Sequence, residues 1–140
     1  RAIEVTREIN NKLVLGNSLS EKSTVLLTTG NLEESRKIYE EVLALATDLG
    51  NPDLLFDVQL LGLRINQKAG NREETLRDIE KALSKNPGNA EKAALHFLAF
   101  EIEPNPKDHY QAISLYRDLF DQTPKFIYKQ RIAQLEEWRS

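Results

Sequence analysis

The chain has 140 residues, the length of one domain or of a short repeat array. Its residues are 40% apolar and 29% charged, and the net charge of -3 with interspersed signs argues against a dedicated nucleic-acid-binding surface. No apolar run approaches the roughly 20 residues of a membrane-spanning helix, and the lack of cysteine excludes disulfides, thiolate metal sites and a cysteine nucleophile. Because the chain starts at Arg1, contains no methionine and has no secretory leader, we expect a fragment of a longer protein.

Apolar residues recur at spacings of three and four along most of the chain, as in "IYEEVLALATDL". This is the spacing of one buried face of an amphipathic helix, and strand-like alternation is absent. We expect a break or a frayed turn at Gly16-Asn17, where Ser18 and Glu21 are spaced as a capping box that would start the helix late. The pattern predicts a helix tail at 2–9 and helices near 12–29, 31–49, 53–69, 71–85, 89–102, 108–122 and 125–138.

Glycine-asparagine pairs punctuate the helical stretches, because five of the six glycines are followed by asparagine. Glycine adopts the left-handed backbone that closes one helix, and the asparagine after it can cap the amides of the next helix. The pairs therefore predict short helices joined by tight turns. They are Gly16-Asn17, Gly30-Asn31, Gly50-Asn51, Gly70-Asn71 and Gly88-Asn89.

The segments "GNLEESRKIYEEVL" from Gly30 and "GNREETLRDIEKAL" from Gly70 are two copies of one pattern, 40 residues apart. The same shift aligns "AIEVTREINN" with the end of the first copy, so it is interpreted as the end of an earlier one. A shift of 37 residues from the second copy gives a third copy at "HYQAISLYRDLFDQTP". One hairpin cannot bury its apolar face alone, so such a period indicates an array in which neighbouring hairpins share a core.

These copies resemble the tetratricopeptide repeat, a helical hairpin whose second helix reads glycine-acid, alanine, an aromatic four residues later, alanine-leucine and then proline. "GNREETLRDIEKALSKNP" is similar to that pattern almost throughout. The resemblance implies an all-α fold, a right-handed superhelical solenoid of antiparallel hairpins with about seven helices; another helical-hairpin array of similar period is the alternative. The expected single array comprises an upstream tail at 1–10, repeats at 11–50, 51–87 and 88–124, and a capping or next-repeat helix at 125–140.

The resemblance places the first helices of the hairpins on the concave side, so a partner groove is expected there. In the central hairpin the polar residues of this helix are Asp57, Arg64, Gln67 and Lys68, whose basic members suit a carboxylate or an acidic peptide. Phe97 on the next first helix is either an apolar floor of the groove or part of the core. For the polar residues the alternative is an ordinary charged helix edge.

Residues with chemical potential are few, and a structural interpretation is favoured for each. His96 and His109 belong to no ligand pair and have no nucleophile beside them in sequence, so both are interpreted as structural. We therefore predict no catalysis, no metal and no cofactor in this segment. Paired glutamates such as Glu33-Glu34 and Glu73-Glu74 are interpreted as solvated faces with ion pairs such as Glu33 to Lys37.

The leading hypothesis is a protein-interaction module that binds a peptide or partner domain in its concave groove, as the sensor or scaffold part of a larger cytoplasmic regulatory protein. The alternative is a structural array that oligomerises or spaces a fused effector domain, with self-association through the ends of the solenoid. Direct binding of nucleic acid or membrane is not expected.

Overall fold

The computed structural model describes the backbone of residues 2–139 and the side chains of residue 4 and residues 6–139. Every regular element in this part of the chain is an α-helix, which confirms the all-α prediction. None of these helices has the length and apolar character needed to cross a membrane. The helices are α1 (Ala2–Thr28), α2 (Leu32–Leu49), α3 (Pro52–Lys68), α4 (Arg72–Ser84), α5 (Asn89–Ile102), α6 (Pro106–Gln122) and α7 (Phe126–Glu136).

The prediction of a break near residue 10 or at Gly16-Asn17 is wrong, because α1 is continuous from Ala2 to Thr28. Asn10 stands where the later copy has Gly50, so the left-handed residue that ends a helix is missing there. Gly16 serves another purpose. It is buried within α1, and a Cβ atom there would lie 2.9 Å from Cδ2 of Leu54, so the glycine permits close packing of α3 against α1.

The predicted turns occur at three of the glycine-asparagine pairs, where Gly30, Gly50 and Gly70 have φ angles of 88°, 62° and 95°. Asn51 caps α3 as expected, since its side chain accepts a hydrogen bond from the Leu54 amide at 2.9 Å. Asn31 makes no such bond.

The turn after α4 is different. Asn86 adopts the left-handed conformation with φ of 53°, which asparagine tolerates better than most residues do. The following Pro87 disfavours continuation of the helix at this position. Gly88, with φ of -65°, precedes α5 as its N-cap.

We expect Gly50→Ala to lower the free energy of unfolding by about 1 kcal/mol, because an alanine Cβ is strained at positive φ. Gly50→Asn is the matched control, because asparagine tolerates the left-handed conformation better than alanine does. An added Cβ at Gly50 would meet no atom within 4 Å, so the two variants differ in backbone strain and not in packing, and the control is expected to be less destabilising. Urea unfolding followed by circular dichroism measures both, and equal effects would contradict the conformational explanation.

The chain forms two compact units, one up to Asn71 and one from Arg72. In the first unit α1, α2 and α3 pack against one another. Leu13, Leu19 and Leu26 of α1 pack against the buried core of this unit. Its central buried side chains are Ile38, Val42, Ala46, Leu54 and Val58.

Small residues allow two close helix contacts in the first unit. Ser23 and Ser35 are fully buried, their hydroxyls lie 2.7 Å apart, and each also donates to the main-chain oxygen of the other residue at 2.9 Å. Gly62 lies under the ring of Tyr39, where an added Cβ would be 2.9 Å from the phenol oxygen. Small residues at these positions therefore let the helices approach each other closely.

In the second unit α4 packs against α5, α5 against α6, and α6 against α7. Apolar residues of α7 and of the segment after it cover this core: Leu135 is fully buried, and Tyr128, Ile132 and Trp138 pack against the core. The buried core consists of Ala93, Phe97, Phe100, Ala112, Ile113, Tyr116 and Leu135.

Candidate functional site

The candidate site predicted from the sequence is the charged face of α3 in the first unit. Asp57, Arg64 and Lys68 are spaced by seven and four residues, which places them on one face of the helix. This face adjoins the apolar stripe of Leu54 and Val58, which is buried against the rest of the unit. The packing of the stripe therefore fixes the direction in which the charged face points.

The four polar residues of the prediction differ in exposure. Asp57 and Lys68 are exposed, whereas Arg64 and Gln67 are half-buried. Gln67 also helps to end the helix, because its main-chain oxygen accepts a hydrogen bond from the Gly70 amide at 3.1 Å. The α3 face thus has two carboxylates, Asp53 and Asp57, toward its N-terminal end and two basic groups, Arg64 and Lys68, toward its C-terminal end.

Phe97 lies in the core of the second unit and not on a surface. Its side chain is 3% exposed, its ring meets the ring of Tyr116 edge-on at 6.2 Å, and Cζ of Arg131 lies 4.1 Å from its centroid. The prediction that Phe97 forms an apolar floor for a partner does not fit this position. Of the two interpretations given for this residue, the structure supports the core one.

The pKa of Asp57 is raised above its ordinary value, first because its carboxyl is partly shielded from solvent and second because of the negative charge of Asp53 one turn earlier. A raised pKa means that the folded state holds this proton more tightly than the unfolded chain does. The contribution of Asp57 to stability is therefore fully present below its unfolded pKa and is lost as the pH rises through the folded pKa. Ionised Asp57 also gives the α3 face a negative charge that a cationic group of a partner can compensate.

We expect the carboxyl of Asp57 to titrate above the ordinary value of 3.8 in a carbon-detected NMR titration of the intact chain. Asp53→Asn is expected to lower the midpoint only partly, because the larger cause, desolvation, remains. Asp57→Asn should gain stability relative to the wild type as the pH rises from acid to neutral. A midpoint at or below the ordinary value would contradict this account.

His96, a half-buried residue of the second unit, has a partner that its neighbours in sequence do not indicate. Its Nδ1 lies 2.8 Å from Oδ1 of Asp108, and the other carboxylate oxygen accepts a hydrogen bond from the Asn105 side chain at 2.7 Å. Asn105 in turn accepts from the Asp108 amide at 2.9 Å, which makes it the N-cap of α6. The Asn-Pro-x-Asp order at 105–108 is a recognisable capping signal, but the pairing with His96 depends on how α5 meets α6.

His109 has the structural role that the sequence suggested. Its Nε2 donates a hydrogen bond to the main-chain oxygen of Leu135 at 2.7 Å, since a carbonyl only accepts. Its ring also packs against the rings of Phe100 and Trp138. His109 thereby holds the C-terminal end of α7 against α6.

The paired glutamates are exposed, as predicted. The expected pair of Glu33 with Lys37 is not among the ion pairs of the described side chains. Lys12 instead joins α1 to Asp48 of α2 at 3.1 Å. Within the described residues no cluster of three or more histidine, cysteine, aspartate or glutamate side chains is arranged to hold a metal ion.

Comparison of the chain with protein-family models, curated proteins and solved structures gives no match. A proposal of function for this chain therefore rests on its own residues and on the sequence resemblance to the tetratricopeptide repeat.

Proposed function

We propose that this chain is a protein-interaction module of the tetratricopeptide type, which binds a peptide or a partner domain on the charged face of α3. The observation that carries the proposal is this face itself, where Asp57, Arg64 and Lys68 share one side of a helix whose neighbouring side is anchored in a core. Arg64 and Lys68 suit an acidic side chain or a carboxylate of the partner, because charge-assisted hydrogen bonds are the stronger ones.

The 40-residue repeat supports the same proposal. In the proposed arrangement the helices form antiparallel hairpins of a right-handed solenoid, and α3 has the place of a first helix in the repeat pattern. The contacts of α1 with α2 agree with one such hairpin, because Lys12 meets Asp48 while Ser23 meets Ser35, so later residues of one helix meet earlier residues of the other. Solenoids of this kind bind extended segments on the surface formed by their first helices.

The test is binding by a charge-reversed chain. Arg64→Glu combined with Lys68→Glu is expected to weaken capture of an acidic partner by about tenfold or more, since hydrogen bonds to charged groups contribute about 1.5–3 kcal/mol each. Arg36→Glu combined with Lys37→Glu changes the net charge equally on exposed residues of α2 and is the control. Proteins retained by the immobilised wild-type chain and the two variants are quantified by mass spectrometry. If both variants lost partner binding equally, or if neither lost it, the assignment of the α3 face as the binding surface would be wrong.

The second candidate is an assembly role in which the chain associates with itself. Val14 and Val25 of α1 are 64% and 61% exposed, and Phe126 of α7 is 77% exposed, which are high values for large apolar side chains. Sedimentation velocity of the wild type and of Val14→Ser, Val25→Ser and Phe126→Ser variants distinguishes this candidate. The assembly role would be favoured if the wild type formed a concentration-dependent dimer that one of the serine variants lost. The Arg64→Glu, Lys68→Glu double variant would have to retain that dimer.

A further inference from the structure

A cleft in the second unit lies between α4 on one side and α5 and α6 on the other. α4 packs against α5, and α5 against α6, while the described backbones of α4 and α6 do not approach each other closely. The gap between them has an apolar wall formed by Leu76, Ile79 and Leu83 of α4 together with Ala99 of α5. Leu76 to Leu83 spans seven residues, which gives the wall a length of about 10 Å.

Basic and amide side chains line the end of this cleft near Leu83. Lys92 and His96 come from α5, Lys107 and Gln111 from α6, and Asn86 from the turn after α4. Neither Lys92 nor Lys107 has an ion pair among the described side chains. The lysines therefore remain available to an anion.

The acidic groups that line the cleft are mostly engaged. Asp108 binds His96 and Asn105, and Glu103 lies 3.4 Å from Arg72. Glu80 is the remaining carboxylate, so the available charge at this end of the cleft is positive. A single negative charge suits this balance better than a dianion, which Glu80 would repel more strongly.

Asp108 determines how His96 faces a ligand. An ionised carboxylate only accepts hydrogen bonds, so Nδ1 of His96 carries a proton and donates to Asp108. Nε2 has no hydrogen-bond partner among the described residues, while the ring lines the cleft. In the imidazolium form of His96, Nε2–H is a further donor for an anion.

We infer that this cleft binds a small aliphatic carboxylate, with its carboxylate between Lys92, His96 and Lys107 and its chain along the α4 wall. The apolar wall takes the aliphatic chain out of water, and the basic end compensates the charge. The cleft and the α3 face share no residue, so the charge-reversed α3 variant is expected to bind the same carboxylate as the wild type does.

The experiment is an NMR titration of the isotopically labelled chain with hexanoate, with hexanamide as the uncharged match. Hexanoate is expected to shift the His96 ring signals and the Leu83 and Ala99 amide signals in a saturable way, and hexanamide is expected to bind at least about tenfold more weakly. Lys107→Gln should weaken hexanoate binding by about tenfold, whereas Lys129→Gln, on the exposed surface of α7, should leave it unchanged. Both positions are exposed, so neither variant threatens the fold.

Three results would overturn the inference. The first is that hexanoate at millimolar concentration does not shift the cleft signals. The second is that hexanamide binds as tightly as hexanoate does. The third is that the two lysine variants weaken hexanoate binding equally. A further titration uses a short peptide that ends in leucine, once with a free C-terminal carboxylate and once with a C-terminal amide. Binding of the peptide acid without binding of hexanoate would replace the small carboxylate by a chain terminus as the ligand.

Discussion

Phe97→Ala is expected to lower the free energy of unfolding of the second unit by about 3–5 kcal/mol, the usual cost of truncating a buried phenylalanine. The ring is 3% exposed and touches Tyr116 and Arg131, so its removal leaves a cavity and deprives the guanidinium of its aromatic contact. Trp138 is the only tryptophan and packs against Phe100 in the same core, so its fluorescence reports the unfolding of this unit.

Phe126→Ala is the matched control for this substitution. Phe126 is 77% exposed, so the same chemical change is expected to alter stability by less than about 0.5 kcal/mol. Guanidinium unfolding of both variants decides whether Phe97 belongs to the core. A loss below about 1 kcal/mol for Phe97→Ala would return this residue to the candidate binding residues.

Ser35→Leu is expected to lower the free energy of unfolding of the first unit by about 2–4 kcal/mol, because a larger side chain is forced into a fully packed contact and the bonds with Ser23 are lost. Ser35 and Ser23 are both 0% exposed, with their hydroxyls 2.7 Å apart. Ser35→Ala removes the hydroxyl without adding volume and should cost only about 1 kcal/mol.

Glu34→Leu is the control at the neighbouring position, which is exposed. It adds the same side chain to solvent and is expected to change stability by less than about 0.5 kcal/mol. Hydrogen exchange of the α2 amides measures the stability of this unit separately from the second. If the α2 amides were as well protected from exchange in the Ser35→Leu variant as in the Glu34→Leu variant, the close contact of α1 and α2 would not limit the stability of this unit.

The sequence predicts the helices well because their determinants are local. The spacing of apolar residues and the glycine turns place α2 within one residue of its observed bounds and α5 at its observed bounds. The observed α6 begins two residues before the predicted start, because Asn105 caps the helix and Pro106 is its first residue. The break predicted in α1 does not occur, because Gly16 is a packing residue inside the helix and not a turn residue.

The candidate sites were predicted less completely, because they depend on contacts between helices. A helical wheel is sufficient to place Asp57, Arg64 and Lys68 on one face. It does not show that Phe97 faces Tyr116 and Arg131, because an apolar helix has no polar side to orient it. The cleft beside His96 was not predicted at all, since its lining residues come from three helices.

By itself the sequence determined that this protein is helical, where most helices begin and end, and that one pattern is repeated in it. These properties follow from side-chain periodicity and backbone preference, which act over a few residues. Only the tertiary structure decided that Gly16 lies inside a helix against Leu54, that His96 is paired with Asp108 and that Phe97 is buried. The reason is physical: each of these outcomes depends on which helix faces meet, and that is set by the packing of side chains distant in sequence.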